Sequence, residues 1–600
     1  MMFRKTSDDT RTQQKETSKP GTTASEDRDS ARADGDAPAV VSRRAFLKQT
    51  GAIAAATAAV ATIGIDPFLG TKHGEAAIGP RDVTAGTFAP LSQKTLHRRR
   101  TAANTLRTQR ARFWKRLATQ TPLANDDELR YPDGWANFSK SLPHDSLGNP
   151  DPGACKAMAL ACQTGNPSDF AAIPLGGVQP LRNPQGGLSF DFAGPDSNQT
   201  IIPPAPAFAS AWRAGEMVEV YWASMLRDVR LPDVPPADIL TNSVITQACD
   251  DLSALSDFRG PKESGLVTPN TLFRGPYDGC LVGPYISQFL LQDILFGAQG
   301  NTQQVRVFKP GLDYMTSYAD WLARQNGAAW GPLVYDPTLR YMRTIRDLAT
   351  WVYQDPPVQA GYHALSILQT LLNVGEKLDP ANPYVSQIKN QDAFTTFGPV
   401  EWFDMVGRAP RVGHEAGWFQ KWRIHRTLRP EEYAGRVHNH LTDGFIYPLH
   451  DDVLTSQAVI ETHKRYGTYL CSQAYPDGCP THTSYPSGHA VGAGSTVTML
   501  KAIFDETFVI PNPVTPSADG LTLKPYVGPA LTVGGELNKL AFNIGMARAM
   551  AGIHWRSDII AGNALGEATS IGIMQDMKSA YNEPFSGYTL TKFDGTTITI

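Results

Sequence analysis

Apolar residues recur at three- and four-residue spacing along most of the chain, while runs that alternate apolar and polar are scarce. That periodicity predicts amphipathic helices. The spacing places them over about 205–228, 236–255, 281–297, 311–324, 357–375, 398–407, 415–428, 452–467, 488–505, 536–551 and 557–582. Pro235-Pro236 and Pro356-Pro357 stand where helices should begin, and a fixed φ with no N–H suits a first helical turn. Residues 92–119 predict a basic helix with a narrow apolar face of Leu96, Ala103, Leu106 and Trp114, best read as a solvated helix face. Residues 120–203 are rich in Pro, Gly, Asn and Asp and read as mostly irregular. In the tail, Asp594-Gly595 divides two alternating runs between Tyr588 and Ile600, the signature of a hairpin. The expected fold class is all-α: a helical-bundle core with long loops and a few short β-hairpins.

Composition narrows the function classes. The 600 residues are 41% hydrophobic and 19% charged, as in an ordinary globular protein. A net charge of −3 supplies no basic field to recruit nucleic acid. Residues 1–40 are polar and lack apolar periodicity, so they predict a disordered N-terminal extension. Then come Ser42-Arg43-Arg44-Ala45-Phe46-Leu47-Lys48 and an apolar run from Gly51 to Ile65, which resemble a twin-arginine export signal over 41–77. The run is too short for a comfortable membrane span, so no stable span is expected in the mature form. Small residues near Glu75-Ala76-Ala77 offer a cleavage region. A periplasmic or secreted bacterial protein is the expectation.

Six cysteines suit an oxidising compartment. The close pairs Cys155/Cys162 and Cys471/Cys479 suggest small disulfide loops, with Cys249/Cys280 remaining, although six cysteines allow fifteen pairings. No CxxC is present, and the histidines are not grouped with the cysteines, which argues against zinc.

The specific chemistry lies near the C-terminus. Tyr485-Pro486-Ser487-Gly488-His489 precedes a predicted helix, whose first N–H groups and dipole attract an anion. Ser487 adds a hydroxyl, and Gly488 lets a ligand approach the main chain. Taken alone, this segment is also an ordinary N-cap. Arg548 lies beside the apolar stripe Leu537, Leu540, Ala541, Ile544, Ala547, where a guanidinium needs a partner, and a bound oxyanion is one. Gly552 breaks that helix, His554 lies in the break, and Asp558 opens the next. Asp558 is placed to bond one ring nitrogen of His554 and leave the other free for a metal or for attack on phosphorus. Upstream, Lys421 and Arg429 lie eight residues apart; Pro430 is expected to end their helix, so the two reach one ligand from different sides. Taken alone, that pair also fits a basic surface helix with Arg423 and Arg426.

In combination, Lys421-x7-Arg429-Pro430, Pro486-Ser487-Gly488-His489 and Arg548-x5-His554-x3-Asp558 resemble the active-site signature uniting vanadium-dependent haloperoxidases, type-2 phosphatidic acid phosphatases and bacterial acid phosphatases. The superfamily usually has six residues in the first gap; the seven here, in Lys421-Trp-Arg-Ile-His-Arg-Thr-Leu-Arg429-Pro-Glu, resemble the algal bromoperoxidases, as does His482 seven residues before His489. The resemblance implies vanadate as cofactor, with His554 as its metal ligand. It implies that Lys421, Arg429, Ser487, Gly488, Arg548 and His489 contact the oxyanion, that His489 acts as acid–base, and that Lys421 donates towards peroxide. Asp558 would orient His554, and His482 and Trp418 would shape the halide side. Trp418 departs from the red-algal pattern and is nearer the brown-algal one, which leaves halide preference open. The implied activity is oxidation of bromide by hydrogen peroxide, also of iodide and with chloride open, to a hypohalous acid equivalent that halogenates a small organic acceptor. The chain would then comprise an N-terminal helical and loop region over 78–240 and a haloperoxidase-type helical domain over 241–600, assembled as a homo-oligomer. Two other readings remain: an acid phosphatase with His554 as nucleophile and His489 as general acid, and a non-catalytic oxyanion binder.

Overall fold

A computed structural model describes residues 92–600 except 118, 120–122, 232–242, 375–376 and 443. The predicted extension and export signal fall outside the described residues, as does the domain boundary expected at 240.

The principal helices are α1 (Gln93–Arg116), α2 (Ala211–Met225), α3 (Ile345–Gln354), α4 (Gln359–Leu371), α5 (Pro399–Phe419), α6 (Pro430–Thr442), α7 (Gly488–Ile503), α8 (Val533–Met550) and α9 (Arg556–Lys578). Among the described residues the sheets are three two-stranded antiparallel hairpins: β1 (Ile294–Phe296) with β2 (Gln299–Asn301), β3 (Val514–Pro516) with β4 (Leu523–Pro525), and β5 (Thr589–Thr591) with β6 (Thr597–Thr599). The last is the Asp594-Gly595 hairpin, with Gly595 at φ +82°. The all-α expectation with short hairpins therefore holds.

Helix α7 is the axis of the core. All its residues except His489 are buried, so it is packed on every side. Helices α5, α8 and α9 surround it. Small residues permit the contact: a Cβ on Gly494 would lie 2.5 Å from the Asn563 carbonyl oxygen, and one on Gly566 2.3 Å from that of Val491. Side-chain hydroxyls cap the N-termini, Ser487 for α7 and Thr532 for α8.

Several expectations need correction. The segments 398–407 and 415–428 form one helix, α5, which runs through Pro410 because packing against α7 and α9 outweighs the missing hydrogen bond. It continues as a π-helical turn, Gln420–His425, and ends at Arg426 in the left-handed region, φ +34°. Pro430 does not end that helix; it opens α6. The apolar run 281–297 forms no α-helix, only a 3-10 turn over Gln288–Leu290 and strand β1. Its backbone bonds side chains of α8 instead, with Ser287 N donating to Asn543 Oδ1 at 2.9 Å and Gln288 N to Glu536 Oε2 at 2.8 Å. The 311–324 helix shrinks to Tyr318–Gln325, and a helix, Pro152–Thr164, occupies part of the region read as irregular. All six cysteines are free thiols, so none of the three suggested disulfides forms. Most are buried and behave as small hydrophobes. No helix among the described residues is long and apolar enough to cross a membrane.

Helix α1 is basic throughout and buries no residue, as expected of a solvated helix. Its C-terminal end is tied down where Trp114 Nε1 and Arg110 Nε donate to Asp576 on α9.

Candidate active site

The widening of α5 into a π-turn turns Lys421 inward. Lys421 is wholly buried, and its ammonium donates to the carbonyls of Thr483 (2.8 Å) and Ser484 (2.7 Å). An ammonium has three donors, so one remains for a ligand. Burial pushes Lys421 well below the usual lysine range, helped by Arg429 and Arg548 and opposed by Asp558.

Arg429, one residue before α6, is also fully buried. Its amide donates to Glu432 Oε2 at 2.8 Å. Its guanidinium donates to the carbonyls of His482 (2.7 Å) and Ile553 (2.9 Å), lies 3.0 Å from His482 Nδ1, and donates to His554 Nε2 at 2.8 Å. Arg548, 7% exposed near the end of α8, donates through Nη1 to the Val352 carbonyl at 3.0 Å, while its buried Nε has no partner.

His554 lies in the break between α8 and α9. Its Nδ1 is 2.6 Å from Asp558 Oδ2. The same carboxylate oxygen accepts from Ser484 Oγ at 2.5 Å and from the Trp555 amide at 3.1 Å. Arginine can only donate, so Nε2 of His554 is an acceptor and Nδ1 carries the proton. Burial holds the ring's pKa well below the ordinary value, reinforced by Arg429, Lys421 and Arg548, so it is neutral.

Ser487 accepts from the Ala490 amide at 3.4 Å, which leaves its hydroxyl proton to donate elsewhere. The amides of Gly488 and His489 begin α7 and have no acceptor among the described residues. His489 Nε2 lies 3.1 Å from Asp355 Oδ1; the imidazole is 27% exposed and the carboxylate 5%. Trp418 and His482 face each other with ring centroids 5.0 Å apart. A Cβ on Gly488 would lie 3.1 Å from the Trp418 ring, so that wall stands over the start of α7.

The structure thus joins Lys421, Arg429, Arg548, Ser487, Gly488, His489, His554, Asp558, His482 and Trp418 around one point. Reading the sequence missed three participants. Asp355 ends α3, 134 residues from His489, and no local pattern links them. Ser484 lies within an unremarked loop. Glu432 was visible as an acidic residue two after Pro430, but no helix was expected to begin there, so its role as a helix-start acceptor was hidden.

Chemically, three buried cations converge with few negative partners. Each buried ion costs several kcal/mol in desolvation. The carboxylate among them, Asp558, is already engaged by His554, Ser484 and Trp555. An orphaned Arg548 Nε, a spare Lys421 proton and two free helix-start amides define a site for a multiply charged oxyanion.

Comparison with known proteins agrees. A family model described as the VCPO second helical-bundle domain matches residues 418–583. The chain is 33% identical over 496 residues to a vanadium-dependent bromoperoxidase of Ascophyllum nodosum, covering 78% of this chain and 88% of that protein. It is 33% identical over 572 residues to the Corallina officinalis vanadium-dependent bromoperoxidase, covering 80% and 94%. The fold superposes on the homohexameric second vanadate-dependent bromoperoxidase of Ascophyllum nodosum with a TM-score of 0.77, at 25% identity, over 89% of this chain and 95% of that one. Together with the cation cluster around His554, these relationships make the chain a member of the vanadium-dependent bromoperoxidase family.

Proposed function

We propose that this protein uses hydrogen peroxide to oxidise bromide, with vanadate as cofactor, in the balanced reaction H2O2 + Br⁻ + H⁺ → HOBr + H2O. The observation that carries the reading is the neutral, acceptor-only Nε2 of His554 inside a ring of three buried cations. The residues present fit vanadate: one imidazole lone pair for the metal, and Lys421, Arg429, Arg548, Ser487 Oγ and the amides of Gly488 and His489 for the oxygens. When bound, vanadate supplies a Lewis-acidic centre that activates peroxide without itself changing oxidation state.

The chain's residues do the rest. Asp558 holds the His554 proton on Nδ1 and so keeps Nε2 available. Lys421, Arg429 and Arg548 offset negative charge in a water-poor site where fixed charges act strongly. His489, oriented by Asp355, moves the proton that the reaction consumes. Trp418 and His482 form one wall of the site.

Hypobromous acid equivalents then halogenate a small organic acceptor. Iodide is a substrate in this reading, with chloride the most demanding halide. The homohexameric relative supports a homo-oligomer. The Arg43-Arg44 segment supports export to the periplasm or medium by the twin-arginine route, which cell fractionation of an R43K/R44K variant tests.

Bromination of monochlorodimedone by the vanadate-reconstituted protein, run beside p-nitrophenyl phosphate hydrolysis, tests the function. Bromide- and peroxide-dependent bromination supports it. Phosphate-ester hydrolysis without bromination would favour a phosphatase with His554 as nucleophile.

A further inference from the structure

His414 lies on α5 one turn before Trp418, and no part of the mechanism above uses it. Its Nδ1 is 2.6 Å from the Pro410 carbonyl oxygen. A carbonyl only accepts, so Nδ1 carries the ring proton and Nε2 presents a lone pair. That lone pair has no hydrogen-bond partner among the described residues. His414 is only half-buried, and its Nε2 is not among the buried polar atoms cut off from any partner, so a small polar molecule can reach it.

Three contacts fix where Nε2 points. The ring packs on Trp418 with centroids 5.6 Å apart. A Cβ on Gly488 would lie 3.7 Å from Nε2, and a Cβ on Gly492 3.0 Å from Cε1. His414 therefore lies against the first turn of α7, beside the amides of Gly488 and His489. Burial is the main reason its pKa is lowered, the Pro410 hydrogen bond opposes this, and the charges of His489 and Lys421 lower it further while Asp355 raises it. The ring is neutral.

We propose that His414 is a substrate-positioning residue for hydrogen peroxide, its Nε2 accepting an O–H of the peroxide beside the start of α7. The proposal rests on the peroxidase reading. A lone pair with no competing protein donor takes a hydrogen-bond donor, and peroxide is the co-substrate that carries two. Halide has no proton to donate, and a lone pair facing it is repulsive. The same atom therefore separates the two substrates: it favours peroxide at this wall and disfavours halide. No bond to carbon, nitrogen or hydrogen changes; the residue acts by orientation alone. Gly488 and Gly492 let the ring pack directly on the first turn of α7, where a Cβ on Gly492 would lie 3.0 Å from Cε1.

The test compares wild type with H414F and H414M, which remove the acceptor, and H414Q, whose amide oxygen restores one. Vanadate-loaded protein is titrated with hydrogen peroxide in the absence of bromide, followed by intrinsic tryptophan fluorescence, and steady-state bromination is measured with each substrate varied. The expected result is an approximately tenfold weaker peroxide Kd and higher peroxide KM in H414F and H414M, as for loss of one good hydrogen bond. Bromide KM and vanadate per protein stay unchanged, and H414Q recovers most of the loss. Unchanged peroxide binding in the acceptor-free variants overturns the proposal, as does a parallel rise in both KM values or loss of vanadate. A wild type that binds vanadate but shows no peroxide titration overturns it too. Wild-type peroxide binding without bromination counts against the bromide chemistry alone.

Discussion

Arg429 donates a hydrogen bond to Nε2 of His554 at 2.8 Å, using the one lone pair on that ring that a metal would need. Hydrogen bond and metal ligation at Nε2 exclude each other. With vanadate bound, Nε2 would ligate the metal and the Arg429 guanidinium would donate to an oxyanion oxygen instead.

The first consequence concerns cofactor retention. His554→Ala removes the lone pair but leaves Lys421, Arg429 and Arg548 in place. Vanadate should then wash out on gel filtration and bromination should disappear, as read by metal analysis of the eluted protein. Full bromination by this variant would refute the ligand assignment. Asp558→Ala should weaken vanadate binding about 10–100-fold, because the ring loses the acceptor that holds its tautomer.

The second concerns His489. Asp355→Asn keeps the shape of the partner but removes its charge. Turnover should fall roughly 10–100-fold, with vanadate content per subunit unchanged. A wild-type turnover number in that variant would remove Asp355 from the mechanism.

The third concerns the support beneath the site. Lys140 Nζ donates to Glu431 Oε1 at 2.8 Å and to the carbonyls of Asp477 and Cys479, while Glu431 Oε2 accepts from the Cys479 amide. Both side chains are buried. This pair anchors the loop that leads to His482. Lys140→Met leaves Glu431 buried without its counter-ion, although still hydrogen-bonded to Gln325 and the Cys479 amide, and should destabilise the protein by about 3–5 kcal/mol. Chemical denaturation of the two proteins at one pH measures the difference.

The fourth concerns acid stability. His425 is buried with neither ring nitrogen hydrogen-bonded, and burial first, then Arg426, lowers its pKa to about 3. His363 is lowered by burial to about 4. An unfolded histidine titrates near 6.5. Between the folded and unfolded values the unfolded chain binds more protons, so stability rises with pH across that window. It is complete above about pH 6.5 and is lost as pH falls towards 4 and then 3. The melting temperature should therefore drop from pH 6.5 to 4.5, and a His425→Phe variant should show a shallower drop. An equal slope in both proteins would contradict the assignment.

Periodicity, motif spacing and composition carried much of this through local rules. Helices α7 and α9 were legible within a few residues, because apolar spacing and the start signals, the Ser487 hydroxyl for α7 and Asp558 in the first turn of α9, are written in nearby positions. So was the tail hairpin, through Asp594-Gly595. The site's cast from Lys421 to Asp558 was legible because each of its three segments is short and carries its chemical groups at fixed spacing.

What the sequence by itself determined, then, was a helical fold and the inventory of an oxyanion site. Tertiary structure decided where those groups meet and who supports them. Only the packing of α5 on α7 and α9 could carry a helix through Pro410 and then widen it to turn Lys421 inward. Pro430 could be read as a stop or as a start, and α6 resolved it as a start. The run 281–297 lost its helix to side chains of α8 some 250 residues away. The partnerships of Asp355 with His489, and of His414 with the first turn of α7, join residues far apart in sequence. Hydrogen bonds and steric contacts act over a few ångströms of space, and no one-dimensional pattern records which distant residues will come that close.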